Sequence, residues 1–178
     1  MTYDESFFEA EGRVARQSAE VVIPWLYDNY KVGNRTIDIG CGTGEWVLAA
    51  IEYLGGEALG VDLHAPNPTE IPRLYADISN GIDCTGWHLA ICLETAEHLP
   101  ESSAELLVAG LAKADLVLFS AATPGQPGID HINCRPQAYW HDLFRQHGFT
   151  PTFIGGRFDE RVEDFYRRNL YIYERGES

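Results

Sequence analysis

The segment Asp38-Ile-Gly-Cys-Gly-Thr-Gly-Glu45 constrains this chain more than any other. Its three alternating glycines fall where a short strand pattern, Thr36 to Ile39, gives way to a helical one from Glu45 to Leu54. Strand, tight glycine turn and helix in that order predict a backbone that lets a ligand approach closely. The spacing is G-x-G-x-G, whereas a dinucleotide fingerprint needs G-x-G-x-x-G and room for pyrophosphate at the helix start. Asp38 lies inside the strand just before the turn. An acid there suits a ligand that carries an amine and sits poorly beside a pyrophosphate.

The rest of the chain repeats the alternation. Phe7 to Tyr30 is helical in pattern, with Val14, Val21, Val22, Trp25 and Leu26 near helical spacing and Pro24 expected to kink or divide it. Gly55-Gly56 closes the helix after the glycine turn. Strands are expected at Ala58–Asp62, Arg73–Ala76, His88–Leu93, Asp115–Ala121, Thr152–Ile154 and Leu170–Glu174. Helices are expected at Ser102–Lys113, Gln137–His147 and Glu160–Arg168. Such alternation predicts an α/β domain, a doubly wound and mostly parallel sheet covered on both faces. At 178 residues it reads as a single domain over 1–178, with a helical cap over about 5–30. Ligands of such sheets bind beyond the carboxyl ends of the strands, here after Ile39, Val61, Leu93 and Ala121.

Asp62 ends the second strand, where nucleoside-binding folds hold ribose hydroxyls, and Asp77 follows the third, placed to accept from an adenine amino group while Ile78 packs near the ring. D-I-G-C-G-T-G-E, then G-V-D and A-D-I, resembles the class I S-adenosylmethionine methyltransferases. The resemblance implies a three-layer α/β/α, Rossmann-like sheet of about seven strands with the last antiparallel. It also implies S-adenosylmethionine as cofactor, with the methionine part over Gly40, Gly42 and Gly44, the ribose at Asp62, and adenine at Asp77 and Ile78. Asp38, Cys41, Leu63 and Leu93 complete the expected cofactor set.

Methyl transfer from a sulfonium is an in-line displacement, so a hydroxyl acceptor needs alignment and a route for its proton. After the fourth strand come Glu94, Glu97 and His98, at i, i+3 and i+4, which one helical turn would place on a shared face. Asp130-His131-Ile-Asn133 brings a second imidazole to the same rim. Three readings stay open: a metal site, a metal-free base drawn from Glu97, His98 and His131, and a structural cluster. The E-x-x-E-H turn with a later histidine resembles the divalent-metal site of two methyltransferase groups, one acting on small-RNA 2′-hydroxyls and one on catechol-like ubiquinone precursors. That resemblance implies Glu94, Glu97, His98 and His131 as ligands. Mixed oxygen and nitrogen donors leave Mg, Mn, Fe and Zn all open.

L-E-T-A-E-H-L-P, F-S-A-A-T-P-G-Q-P-G, H-I-N, Y-W-x-x-L-F-x-x-H-G-F and Y-R-R-N-L-Y-I-Y resemble one compact bacterial and phage methyltransferase family, often found among glycan or natural-product genes, from about Ser18 to Tyr173. Two departures stand out. Cys134 occupies a place usually held by glutamate, and Arg135-Pro-Gln-Ala138 spans a place that usually carries tryptophan. Tyr139, Trp140 and Phe144 are expected in the core, Trp46 between helix and sheet, and Tyr166 and Asn169 at an acceptor mouth. His64, His141 and His147 receive no role.

Composition narrows the partners. With 13 basic and 27 acidic residues the chain carries a net charge of −14, which opposes a phosphate backbone but tolerates a sulfonium or a metal. A basic stripe around Arg157, Arg161, Arg167 and Arg168 would reopen a nucleic-acid substrate. Cys41, Cys84, Cys92 and Cys134 form no C-x-x-C pair and read as free thiols. The acidic start resembles no leader and no apolar run is long enough for a membrane, so a cytoplasmic protein without membrane contact is expected. The leading expectation is O-methylation of a small-molecule hydroxyl, on a sugar or secondary metabolite. The alternatives are a nucleic-acid methyltransferase of the RNA 2′-O type and a non-catalytic cofactor binder. The leading helix and the Ala122–Pro136 loop would cover the acceptor, and a homodimer is one way to complete that cover.

Overall fold

A computed structural model describes residues 5–66 and 68–176. Seven strands form one sheet: β1 (Arg35–Ile39), β2 (Glu57–Asp62), β3 (Arg73–Tyr75), β4 (Leu89–Leu93), β5 (Leu116–Ser120), β6 (Phe149–Phe153) and β7 (Tyr171–Arg175). Their order is β3-β2-β1-β4-β5-β7-β6, and only β7 runs antiparallel to its neighbours. The order reverses between β1 and β4, so a crevice opens beyond the carboxyl ends of those two strands.

Strand period explains the layers. In β4, Ala90 and Cys92 face one core with Leu107, Val108, Leu111, Trp140 and Phe144. Leu89, Ile91 and Leu93 face the other with Val22, Ile23, Leu26, Trp46 and Tyr166. Helices α3 (Ala104–Leu111) and α4 (Gln137–Gln146) therefore cover one face, and α1 (Glu5–Tyr30), α2 (Glu45–Tyr53) and α5 (Asp164–Asn169) the other. Trp140 and Phe144 are fully buried around Phe119, as the helical spacing predicted.

Several expectations need correction. Pro24 neither ends nor divides α1, because the turn around it is held by the buried Ala19, Val22, Ile23 and Leu26. The helix expected from Glu160 begins only at Asp164: Arg161 instead doubles back onto Asp159, which accepts from both its N–H and its guanidinium. The sixth strand starts at Phe149 and spends Pro151 on the sheet edge, where a missing N–H costs little. The helix expected from Ser102 opens as a 3-10 turn, Glu101–Ser103. His141 is half-buried, with Nδ1 2.8 Å from the Tyr173 hydroxyl, and is more than a solvated ring. The leader reading falls partly on residues 1–4, outside the described residues.

Two contacts bring the cover down onto the crevice. A Cβ on Gly12 of α1 would lie 2.9 Å from Thr43 Oγ1, so α1 passes directly over the glycine turn. Farther along, Ser18 Oγ accepts from the Glu163 N–H, tying α1 to the start of α5.

Candidate active site

The first rim grows from β1 and β2. Gly40, Gly42 and Gly44 have φ of 76°, 53° and 95°, a region where side chains are strained. At Gly40 the need is also spatial: a Cβ there would fall 2.3 Å from both γ atoms of Thr95. Through this contact the glycine turn touches the segment after β4.

Asp62 organises the rim by accepting backbone N–H groups. Oδ2 takes Gly42 N–H, and Oδ1 takes those of His64 and Ala65, each at 3.0 Å. Arg73 answers from β3, donating Nη2 to Gly42 O at 2.7 Å and Nη1 to Ala65 O at 3.1 Å. The same two residues are thus held at both N–H and C=O. Sequence reasoning passed over Arg73, whose two partners are 31 and 8 residues away in the chain and are set by tertiary contact.

Arg73 Nε is left without a partner, and Asp38 departs further from this satisfaction. It is 2% exposed, and its Oδ2 has no hydrogen-bond partner. Burial, then the charge of Asp62, push its carboxyl up to about 8, with Arg73 opposing. A cationic amine at Oδ2 would supply both the missing hydrogen bond and the missing charge, so this rim fits an amino-acid-bearing ligand. Ile78 and Leu93 are buried, and Leu63 is exposed at the rim. Asp77 is exposed and accepts from Ser79 N–H at 2.9 Å and Asn80 Nδ2 at 3.2 Å. The Cys41 thiol is raised, first by burial and then by Asp38, which makes it inert rather than nucleophilic.

The second rim follows β4 and β5. Glu94, Glu97 and His98 do not share one helical turn: Glu94 has φ of 46°, and the turn itself is a 3-10 turn, Ala96–His98. Glu94 instead accepts from Gln126 Nε2 at 2.7 Å and Asn169 Nδ2 at 3.2 Å, while Asn169 also donates to Gln126 Oε1 at 2.8 Å. Glu97 is fully buried. Its Oε1 accepts from Ala122 N–H at 3.0 Å, and Oε2 has no partner. Burial, and next the neighbouring Glu94, raise the Glu97 carboxyl. The Glu97 carbonyl accepts from Ile132 and Asn133 N–H, which anchors the loop carrying His131.

His98 and His131 meet edge to face at 5.0 Å between ring centres. His98 Nδ1 is buried without a partner, and burial followed by His131 lowers the ring's pKa. One donor atom from each of Glu97, His98 and His131 lies within 4.8 Å of the other two. Two imidazoles and a carboxylate that converge with unpartnered polar atoms fit a divalent cation. Glu94 is outside this converging set.

Beside the rim is a hollow of about 300 Å³ lined by Thr123, Pro124, Gln126, Pro127, Arg168 and Asn169. Asn169, expected at an acceptor mouth, lines this hollow. Tyr166 does not, being a core residue whose hydroxyl accepts from Trp46 Nε1 at 3.4 Å. Of the four arginines that would have made a basic stripe, Arg161 pairs with Asp159, Arg167 and Arg168 pair with Asp164, and Arg157 lies over the Trp25 ring.

No protein-family model matches the chain. The sugar N-methyltransferase KedS8 from Streptoalloteichus superimposes with a TM-score of 0.70 at 15% identity, over 99% of this chain and 94% of that one. The fold is that of the class I methyltransferases. Magnesium protoporphyrin IX methyltransferase (ChlM) from Synechocystis, solved with bound SAH, shares this methyltransferase fold at a TM-score of 0.65 and 19% identity, over 99% of this chain and 90% of that one. In sequence, the ribosomal protein L11 methyltransferase of Ralstonia pickettii is 29% identical over 112 residues, 63% of this chain. The chain spans 35% of that relative's length.

Proposed function

We propose that this chain transfers a methyl group from S-adenosylmethionine to a small-molecule hydroxyl, on a sugar or secondary metabolite, with help from a divalent metal. The observation that carries this reading is the convergence of Glu97, His98 and His131 one contact away, through Thr95 and Gly40, from a glycine turn with an unpaired buried acid. Asp38 would receive the amine of the cofactor, Asp62 the ribose, and Asp77 with Ile78 the adenine. Gly40, Gly42 and Gly44 would pass beneath the methionine part, with Cys41, Leu63 and Leu93 around it.

In the reaction an acceptor oxygen lone pair forms the new C–O bond as the C–S bond breaks, its electron pair staying on sulfur. The hydroxyl proton must leave with a base. Where no metal is held, His98, whose ring pKa is lowered by burial and by His131, is able to take it, with His131 beside it. Glu97, raised by burial, holds a proton unless a cation replaces it. A metal held by Glu97, His98 and His131, with Glu94 behind Glu97, would bind acceptor oxygens and lower the hydroxyl's pKa. Gln126 and Asn169 fix the floor on which an acceptor rests.

The fold shared with a sugar N-methyltransferase over nearly its whole length supports a sugar as the acceptor class and carries no weight for oxygen over nitrogen. Net charge of −14 and the paired arginines disfavour a nucleic acid. No helix among the described residues is long and apolar enough to cross a membrane. Calorimetric titration with S-adenosylhomocysteine tests the cofactor, and methyl transfer from labelled S-adenosylmethionine to a panel of diols, catechols and sugars tests the acceptor. Binding together with labelled ether products is expected. No binding at hundreds of micromolar overturns the reading; label found only on amines overturns O-methylation.

A further inference from the structure

We propose that Arg168 selects an acceptor that carries an anionic group, a carboxylate or a phosphate, and holds that group in the hollow beside the second rim. The inference rests on the methyl-transfer reading above and names its substrate class.

The wall of the hollow forms without a ligand. Thr123-Pro-Gly-Gln126 closes as a turn in which Gln126 N–H donates to Thr123 O at 3.0 Å. Pro124 presets the second position and Gly125, with φ of 91°, supplies the left-handed third, the pattern of a type II turn. A Cβ on Gly125 would meet nothing within 4 Å, so the tip of the turn stays open. Gln126 then does two things. Its side chain joins Asn169 and Glu94 in the floor, and its carbonyl oxygen lies 3.3 Å from His131 Nδ1. A group bound in the hollow is therefore one residue away from the imidazole pair, within the reach of a sugar-sized molecule.

Charge is unbalanced at this place. Arg168 is the charged residue in a lining otherwise made of Thr123, Pro124, Gly125, Gln126, Pro127 and Asn169. Asp164 faces two guanidiniums at once, Arg167 Nη2 at 3.2 Å and Arg168 Nη2 at 2.7 Å, so one positive charge is left over. The Arg168 side chain is 66% exposed, and an ion pair so wet yields readily to a better-placed anion. Glu94 does not cancel the surplus from behind: it is outside the lining, and its two oxygens are taken by the Gln126 and Asn169 amides. A guanidinium meets a carboxylate or phosphate through two parallel N–H bonds. On a chain of net charge −14, a single surplus cation suits one anionic group and not a polyanion.

The test uses the full chain loaded with S-adenosylhomocysteine, titrated in a calorimeter with D-glucose, D-glucuronate and D-glucose 1-phosphate. One or both anions should bind at least about tenfold tighter than glucose. Arg168→Ala should erase that margin and Arg168→Lys should keep part of it. Asp164→Asn, which releases the guanidinium, should widen the margin several-fold, a change opposite in sign that a merely structural role of Arg168 would not produce. Affinity for S-adenosylhomocysteine should stay within about twofold in all three variants, since none of them touches the first rim. The tighter of the two anions tells carboxylate from phosphate. A margin that survives Arg168→Ala, or no binding of either anion at tens of millimolar, overturns the inference and leaves the methyl-transfer reading standing. If wild type does not bind S-adenosylhomocysteine at all, that reading fails and this inference fails with it.

Discussion

On the β1–β2–β3 side of the crevice Asp62 accepts three backbone N–H groups and Arg73 donates to two carbonyls, so the loops stay in place without a ligand. On the β4–β5 side Glu97 Oε2, His98 Nδ1 and Asn133 Nδ2 are buried with no partner. The first rim is largely preformed and, among the described residues, leaves Asp38 Oδ2 and Arg73 Nε without partners. The second is assembled from groups that repel or lack partners, and unpaired buried polar groups persist only where something else compensates them. The difference separates a site shaped for one ligand from a site whose charge is completed by what it binds.

The sharpest way to break the contrast is to strike where the rims touch. Gly40→Ala forces a left-handed backbone and places a Cβ on Thr95. It should cost about 3 kcal/mol of stability, about 1 from the backbone and the remainder from overpacking. Adding Thr95→Gly should restore roughly the overpacking part in denaturant unfolding. No recovery would mean that the rims do not meet at this point.

Asp38→Asn comes next. Loss of a charge-assisted hydrogen bond should weaken S-adenosylhomocysteine by about 10- to 100-fold in calorimetry. The apo protein should respond in the opposite sense. A carboxyl raised to about 8 by folding keeps its proton in the native state, so it lowers stability progressively as pH rises from the unfolded value through about 8. The variant should therefore melt higher than wild type at pH 9 and alike at pH 4. In wild type, product affinity should climb as pH rises toward about 8, because an amine binds the ionised form. A flat profile would remove Asp38 from the cofactor site.

How much of this was readable in advance differs between the rims in the same way. D-I-G-C-G-T-G-E is a local backbone device, so spacing alone announced the turn, and Gly40, Gly42 and Gly44 do carry positive φ. The alternation of strands with helices announced a sheet covered on both faces, and in β4 Ala90 and Cys92 face one core while Leu89, Ile91 and Leu93 face the other. The second rim was named residue by residue, but its geometry was not foreseen. Helical spacing put Glu94 beside Glu97 and His98 on one turn, yet Glu94 takes φ of 46° and turns to Asn169, 75 residues away. Arg73 escaped notice for the same reason: its partners, Gly42 and Ala65, are chosen by tertiary contact and leave no periodic trace.

The second rim's incompleteness is measured by Glu97→Gln. Its carboxyl is raised by burial and by Glu94, so the sign matches that of Asp38: the penalty of ionising it grows as pH rises. The amide carries no such penalty, and in chelator at pH 8.5 the variant should melt a few degrees above wild type, for about 1 kcal/mol. With Zn²⁺ the order should reverse, since only wild type gains the metal's binding energy. Parallel melting curves with and without metal would assign the cluster to structure alone.

Asn169→Ala should have the smallest effect and still separate the rims. Asn169 holds Glu94 and Gln126 together without belonging to the converging set of donors. Removing it leaves Glu94 with Gln126 and the Ser120 region as partners, so the fold should survive with a loss of about 1 kcal/mol. The lining of the hollow would loosen where Gln126 and Asn169 meet. The acceptor KM should then rise several-fold, about what one neutral hydrogen bond contributes, with S-adenosylhomocysteine affinity unchanged within about twofold. Equal losses in both would make the Glu94–Gln126–Asn169 network part of the cofactor rim, and the division between a preformed side and a completed side would have to be redrawn through Glu94.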